Sequence, residues 1–291
     1  MKNTMKKPVN IPVEKLRPFA GHPFKVKDDD EMNTLIESIQ TQGVLSPLIV
    51  RPIENTDEYE VISGHRRLHA AVKAGITEVP ALIYALDRDS AGIAVVDSNL
   101  HREHILPSEK AFAYKMKADA MNHKGWKTDL TSGQVVPKSD DNRTTAQIGA
   151  DTGDSYKTVQ RYIRITNLIP EILQYVDDGR IAFTPAVELS YLNEQEQYDL
   201  LEQMELNDCT PSLSQACRFK KMSGEEGLTH EVIAAVMSEE KANQKETIKI
   251  PTEKLRKYAP NADAKQLEDF ILKACDHYRK YLIRQRNRYE R

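Results

Sequence analysis

YEVISGHRRLHAAVKAG, Tyr59 to Gly75, changes its hydrophobic period in the middle. Tyr59-Glu60-Val61-Ile62 is rich in β-branched and aromatic residues and reads as a strand, whereas Leu68, Ala71 and Val72 share a helical face that Gly75 closes. Ser63-Gly64 lies between them, so a strand passes through a glycine turn straight into a helix. The first amides of a helix have no internal partner, and an anion placed there also meets the positive end of the helix dipole. With two guanidinium groups beside those amides, Gly64-His65-Arg66-Arg67 predicts a phosphate-binding turn. It is not a Walker loop, and taken alone it reads equally well as an exposed basic helix start.

On the N-terminal side of this turn, Met32, Leu35, Ile36 and Ile39 fall at i, i+3, i+4 and i+7 behind an Asp run, which predicts an amphipathic helix over Asp28 to Gln42 ahead of Gly43. Pro47 to Val50 and Glu58 to Ile62 read as strands separated by Asn55-Thr56-Asp57, and Ala81 to Tyr84 as another. Residues 10–86 therefore predict one α+β domain.

Downstream the pattern is helical. Helices are expected around Ser90 to Asn99 and from Leu106-Pro107-Ser108, where Phe112, Met116 and Ala120 continue a stripe. Gly125 to Arg143 lacks periodicity and is predicted to be an exposed, inserted loop. Met222 to Gly227 reads as a break before a charged helix through Val232 to Lys245. Thr247 to Pro251 opens a C-terminal unit whose helix, Ala264 to Arg291, carries Leu267, Ile271, Ala274 and Tyr278 on one face and ends in a basic run. The expected fold is an α+β N-terminal domain (1–105), an all-α domain (106–222), a linker with a charged helix (223–247) and a small helical C-terminal unit (248–291).

Within the helical region, TTAQIGADTGDSYKTVQRYIRI, Thr144 to Ile165, predicts a helix-turn-helix: about two helical turns, Gly153 at a left-handed turn position, then a second helix. Ile148, Ala150, Val159, Tyr162 and Ile163 supply apolar positions to lock the pair. Thr145, Gln147, Ser155, Tyr156, Lys157, Thr158, Gln160, Arg161 and Arg164 are the candidate DNA-contacting residues, a set of hydroxyl, amide and guanidinium groups suited to phosphates and base edges. The plain alternative is a helical hairpin with a solvated polar face; the Ala, Gly and Val spacing favours the motif.

Composition narrows the setting. Hydrophobic residues are 40% and charged ones 29%, a globular balance, and the net charge of -3 argues against coating nucleic acid through bulk positive charge, so DNA binding requires a local site. Cys209, Cys217 and Cys275 form neither a CxxC pair nor an even set, which argues against a disulfide framework or zinc finger. MKNTMKKPVN has no apolar run behind it and no stretch approaches the roughly 18 apolar residues of a membrane helix, so the expectation is a cytoplasmic chain without a membrane partner.

In order along the chain, IPVEKLRPF (Ile11 to Phe19), LIESIQTQGVLSPLIVR (Leu35 to Arg51), YEVISGHRRLHAAVKAG (Tyr59 to Gly75), NLHREHILPSEKAFAY (Asn99 to Tyr114) and the helix-turn-helix resemble the ParB/RepB chromosome and plasmid partition family, over about Ile11 to Met222. The resemblance implies a ParB-like N-terminal domain acting as a cytidine triphosphate switch, with CTP held by Gly64, His65, Arg66, Arg67, Asn99 and Arg102 and with Gly43 and Val44 near its base. It implies a homodimer that closes as a clamp on double-stranded DNA, associated with nucleoid or plasmid, and a Walker-type partition ATPase as partner, usually engaged through a basic N-terminal segment such as Met1 to Asn10. Two departures leave Mg2+ binding and slow CTP hydrolysis open. His65 stands where the family usually has Glu and adds a group that ordinarily titrates near neutral pH, and Ser98 stands at a usual carboxylate position, a poorer ligand for a hard cation.

The remaining constellations are weaker. His65, His69, His101 and His104 with Asp97 and Glu103 could be drawn as a metal or nuclease site, but without an HExxH pattern they read as solvated histidines. Trp126 reads as a cover for an apolar patch or a base-stacking residue, and the basic C-terminal end as a soluble helix end or a phosphate contact. The rival functions are a nuclease or phosphotransferase on the same N-terminal fold, and a helix-turn-helix transcription regulator without a nucleotide switch.

Overall fold

A computed structural model describes residues 7–102, 104–129, 141–225, 227–239, 255–259 and 263–289, in two units, Met1–Glu239 and Glu240–Arg291. In the first unit, strands β1 (Val9–Pro12), β2 (Leu16–Pro18), β3 (Leu48–Pro52), β4 (Tyr59–Ser63) and β5 (Glu78–Ile83) form one mixed sheet in the order β1-β5-β3-β4-β2. β1 with β5 and β3 with β4 are antiparallel; β3 with β5 and β2 with β4 are parallel. The parallel return to β5 needs a crossover, which β4 and helix α2 (His65–Lys73) provide.

Alternation along the strands creates two buried faces. Leu48, Val50, Val61 and Ala81 pack against Met32 and Ile39 of α1 (Asp30–Gln42) and Leu68, Ala70 and Ala71 of α2. On the other side Ile62 joins Phe19 and Ala91 and Val95 of α3 (Arg88–Asp97). Asp29 caps α1, accepting from the Met32 amide at 2.8 Å. Val72, expected on the buried face of α2, is 56% exposed. The helix instead presents Leu68, Ala70 and Ala71, the two alanines allowing close approach to the sheet.

Every later element among the described residues is helical: α4 (Pro107–Asp129), α5 (Asp141–Thr152), α6 (Tyr156–Ile165), α7 (Pro170–Asp177), α8 (Phe183–Leu189), α9 (Glu194–Leu206), α10 (Leu213–Glu225) and α11 (His230–Met237). Ile172, Leu189, Leu200, Met204, Phe219 and Ile233 centre their core. The loop expected over Gly125 to Arg143 is helical at both ends, since α4 runs to Asp129 and α5 begins at Asp141; residues 130–140 and the Trp126 side chain lie outside the description. Extending an established helix costs far less than nucleating one, so weak periodicity does not end α4. α10 likewise runs through the break expected at Met222 and stops before Gly227, which has φ 82°. The following helix closes at Met237 instead of Lys245. Residues 1–239 form one compact unit, so the expected boundary at 105 is not a gap in packing.

In the second unit, α12 (Ala264–Tyr289) buries Leu267 but leaves Ala274 and Tyr278 exposed, so the expected four-residue stripe is covered only near its start. A helix of 26 residues is about 39 Å long. Among the described residues no helix is long and apolar enough to cross a membrane.

Candidate functional site

Gly64 sits between β4 and α2 with φ 105°, a conformation that side chains resist. A Cβ there would stand 3.1 Å from Leu48 Cγ and 3.2 Å from Arg67 Nη2, so glycine is required for both backbone and space. As the N-cap it offers no side-chain acceptor, which leaves the first-turn amides of α2 available to an anion.

Three guanidinium groups surround this turn. Arg66 reaches Asp29 at 3.4 Å and Glu31 at 3.2 Å, the acidic start of α1. Arg67 donates to the carbonyls of Ser46 (2.6 Å) and Pro47 (2.9 Å); burial lowers its pKa, and among the described residues no carboxylate pairs with it. Gly43, with φ 70°, and half-buried Val44 lead the chain from α1 into that Ser46-Pro47 segment, so they position Arg67 from below. Arg102 lies over the Phe24 ring at 5.5 Å; burial lowers its pKa, the Glu109 carboxylate opposing and nearby Arg66 adding to the shift.

His65 differs from expectation. Its ring packs on His22 at 3.8 Å, and its Nε2 accepts from the Phe19 amide at 3.5 Å. Burial, then His22 and Arg102, push its pKa down to about 3, so it is a neutral imidazole and not a group titrating near pH 7. Asn99 is 4% exposed, and its amide donates to Val95 O (2.7 Å) and Ser98 Oγ (3.1 Å), so it stiffens the end of α3. Ser98 Oγ donates to Val95 O at 3.0 Å. Of this segment, Arg102 is the residue whose charge is felt at the turn. His69 pairs with Asp28 at 2.8 Å, His101 and His104 are exposed, and Glu103 lies outside the description; among the described residues no three metal-ligating side chains converge.

The second site is the α5–α6 pair. Gly153 has φ 78°, and Ser155 caps α6, its hydroxyl accepting from the Thr158 amide at 3.1 Å. Ile148 and Val159 are buried with Tyr114 and Ala118 of α4, while Tyr162 and Ile163 pack alongside. Ala150, expected in the lock, is exposed, and Gly149 takes that role. A Cβ on Gly149 would lie 2.5 Å from the Asp154 carbonyl, so the crossing is set by the absence of a side chain. The sequence pattern GADTG carried that signal in its first glycine as well as its second.

The candidate contact residues separate into groups. Gln147, Ser155, Tyr156 and Lys157 are exposed, Thr158 and Gln160 half-buried, and Thr145 is 5% exposed. Arg161 donates to Thr184 Oγ1 at 3.0 Å and lies over Phe183 at 5.1 Å. Arg164 donates to Ser190 O at 3.1 Å and stacks over Tyr191 at 4.0 Å. Both arginines therefore dock α6 onto α8 and the residues that follow it.

A strand-glycine-helix turn ringed by guanidinium groups on a mixed sheet, followed by two helices crossing at Gly149 and Gly153, defines a chain with two candidate sites. Residues 1–100 match the ParB N-terminal domain. It is similar to the chromosome-partitioning protein Spo0J of Thermus thermophilus, 33% identical over 174 residues, 60% of this chain and 56% of that one. It is 40% identical over 106 residues to a nucleoid occlusion protein of Geobacillus thermodenitrificans, 36% of this chain and 37% of the relative. A solved structure, C-terminally truncated ParB from Caulobacter crescentus complexed with CTP-gamma-S, aligns with a TM-score of 0.31 at 23% identity, covering 68% of this chain and 98% of that one. The chain spans less than two thirds of the length of these curated relatives.

Proposed function

We propose that this chain is a sequence-specific DNA-binding partition protein of ParB type whose DNA engagement responds to a nucleoside triphosphate. The observation that carries the nucleotide half is the Gly64 turn, where uncapped amides at the start of α2 meet Arg66, Arg67 and Arg102. A triphosphate supplies the charge and the multiple acceptors that such a set binds best. The nucleotide of this reading is CTP, with Gly64, His65, Arg66, Arg67 and Arg102 contacting it and Gly43, Val44 and Asn99 holding the surrounding backbone. Mg2+ would come with the phosphates. Ser98 and neutral His65 offer no carboxylate for its coordination, so binding outlives hydrolysis in this reading.

On the DNA side, Gln147, Tyr156, Lys157 and Gln160 reach the duplex, with Thr145, Ser155 and Thr158 shaping the start of α6 and Arg161 and Arg164 fixing its angle. A homodimer on a two-fold site, cytoplasmic association with the nucleoid or a plasmid, and a Walker-type ATPase partner complete the proposal.

Isothermal titration of CTP, ATP and GTP into wild type and Arg66→Ala, with and without Mg2+, tests it. CTP-selective binding weakened at least about tenfold in Arg66→Ala is expected. A folded protein that binds no nucleotide yet still shifts DNA would leave a helix-turn-helix regulator without a switch.

A further inference from the structure

Lys117 is 3% exposed, unusual for a lysine, and its ammonium lies 2.8 Å from Asp97 Oδ1 and 2.8 Å from Asp151 Oδ2. Those carboxylates belong to different parts of the molecule. Asp97 ends α3, directly before the Ser98 to Arg102 segment that delivers Arg102 to the Gly64 turn, and Asp151 lies in the last turn of α5, two residues before Gly153. Lys117 is also the last of three α4 residues at i, i+4 and i+7 that grip the helix-turn-helix turn. Lys110 pairs with Asp154 at 2.7 Å, and the Tyr114 hydroxyl donates to Asp154 at 2.6 Å beside Thr152. Burial first and the Asp154 carboxylate second push the Tyr114 hydroxyl up to about 12, so it stays a donor.

We propose that Lys117 is a positioning residue joining the nucleotide turn to the helix-turn-helix, its buried ammonium holding α3 and α5 to one face of α4 so that movement of Asp97 is passed to Asp151. A buried cation with two carboxylate partners has two discrete conditions, bridged or broken, because losing either partner leaves an incompletely paired charge. That makes it a two-state element that both sites can bias. Asp97 and Asp151 reach the same nitrogen, so no intervening packing is needed to couple them. Lys110 and Tyr114 hold the turn to α4 through Asp154 and Thr152 and, among the described residues, make no hydrogen bond or ion pair to α3, which singles out Lys117 as the link to the pocket side.

This inference rests on the Gly64 turn being the nucleotide site, and the test separates the two. Amide hydrogen exchange is followed on the full chain with and without CTP, in wild type, Lys117→Met, Lys117→Arg and Asp97→Asn. Wild type is expected to show exchange slowed about tenfold at residues 64–68 and a change of at least about threefold at residues 148–159. Lys117→Met, which keeps the length of the side chain, should retain the effect at 64–68 and lose the one at 148–159; Lys117→Arg should restore it. Asp97→Asn removes only the α3 side, and Asp97 is half exposed, so it reports even where Lys117→Met fails to fold. No CTP effect at 64–68 in wild type defeats the nucleotide reading itself. An effect at 64–68 with none at 148–159 in wild type, or with the same distal effect in Asp97→Asn as in wild type, overturns the role of Lys117.

Discussion

Gly149→Ala and Gly224→Ala make the same chemical change inside helices and should move stability in opposite directions. In a helix interior, alanine is favoured over glycine by about 0.5–1 kcal/mol because glycine loses more backbone freedom on folding. At Gly224, near the end of α10, a Cβ meets no atom within 4 Å, so that gain is realised. At Gly149 the Cβ would lie 2.5 Å from the Asp154 carbonyl oxygen, whereas a relaxed carbon–oxygen contact is about 3.3 Å, so the helices must part by roughly 0.8 Å. Asp154 cannot drift freely: its carboxylate holds Lys110 and Tyr114 of α4, and the chain on either side is fixed by left-handed Gly153 and the Ser155 cap. Overpacking against such a constrained backbone costs about 1–3 kcal/mol, which exceeds the propensity gain and leaves Gly149→Ala about 1–2 kcal/mol less stable. For a unit of this size that lowers the thermal midpoint by about 2–8 °C, while Gly224→Ala raises it by about 1–4 °C. Circular dichroism melts and urea titrations of the two variants beside wild type decide the matter. A Gly149→Ala protein as stable as wild type would mean that α5 and α6 are not set by this approach.

Acid stability should report on His65. Its folded pKa of about 3 lies below the roughly 6.5 of the unfolded chain, so as pH falls the unfolded state takes up the proton first; this contribution is whole above about pH 7 and drains away from there toward pH 3. Urea titrations at pH 8 and pH 5 should show a loss of about 1–2 kcal/mol from this group, and an equal loss in His65→Gln would rule it out as the source. On the second site, Lys157→Ala should leave the melt unchanged and reduce the salt slope of DNA binding by about one. Arg164→Ala should lower stability by about 1–2 kcal/mol because Ser190 O loses its donor and Tyr191 one of its two cations, Lys220 remaining 3.7 Å from the ring; an unchanged melt would contradict the docking of α6.

Periodicity made the elements readable wherever one face alone is buried. Met32 and Ile39 mark α1, and the switch from alternation in Tyr59–Ser63 to a helical face in α2 is visible because Gly64 separates the two periods. The Gly64 turn was legible for the same reason, as left-handed backbone and an uncapped helix start both leave a glycine in the sequence. What pattern could not show was which polar groups are consumed internally. Asn99, Arg161 and Arg164 look like ligands in sequence, yet Asn99 bonds to Val95 and Ser98 of its own helix end, and Arg161 and Arg164 to Thr184 and Ser190, distant along the chain. His65 was read as titratable because its burying partner His22 lies in another segment. Gly149 was passed over because a glycine in mid-helix signals nothing until the helix crossing it is known.

The net charge of -3 and the local basic sites are consistent once the placement of the acids is considered. Asp29 and Glu31 face Arg66, Asp97 and Asp151 enclose Lys117, and Asp154 holds Lys110. These pairs offset much of the local positive charge, while Arg67 at the Gly64 turn and Lys157 at the start of α6 have no carboxylate within ion-pair distance among the described residues. Binding of an anion at either place then depends on few contacts and on geometry more than on the field of the whole chain, so affinity should be lost sharply with single substitutions and only moderately with salt.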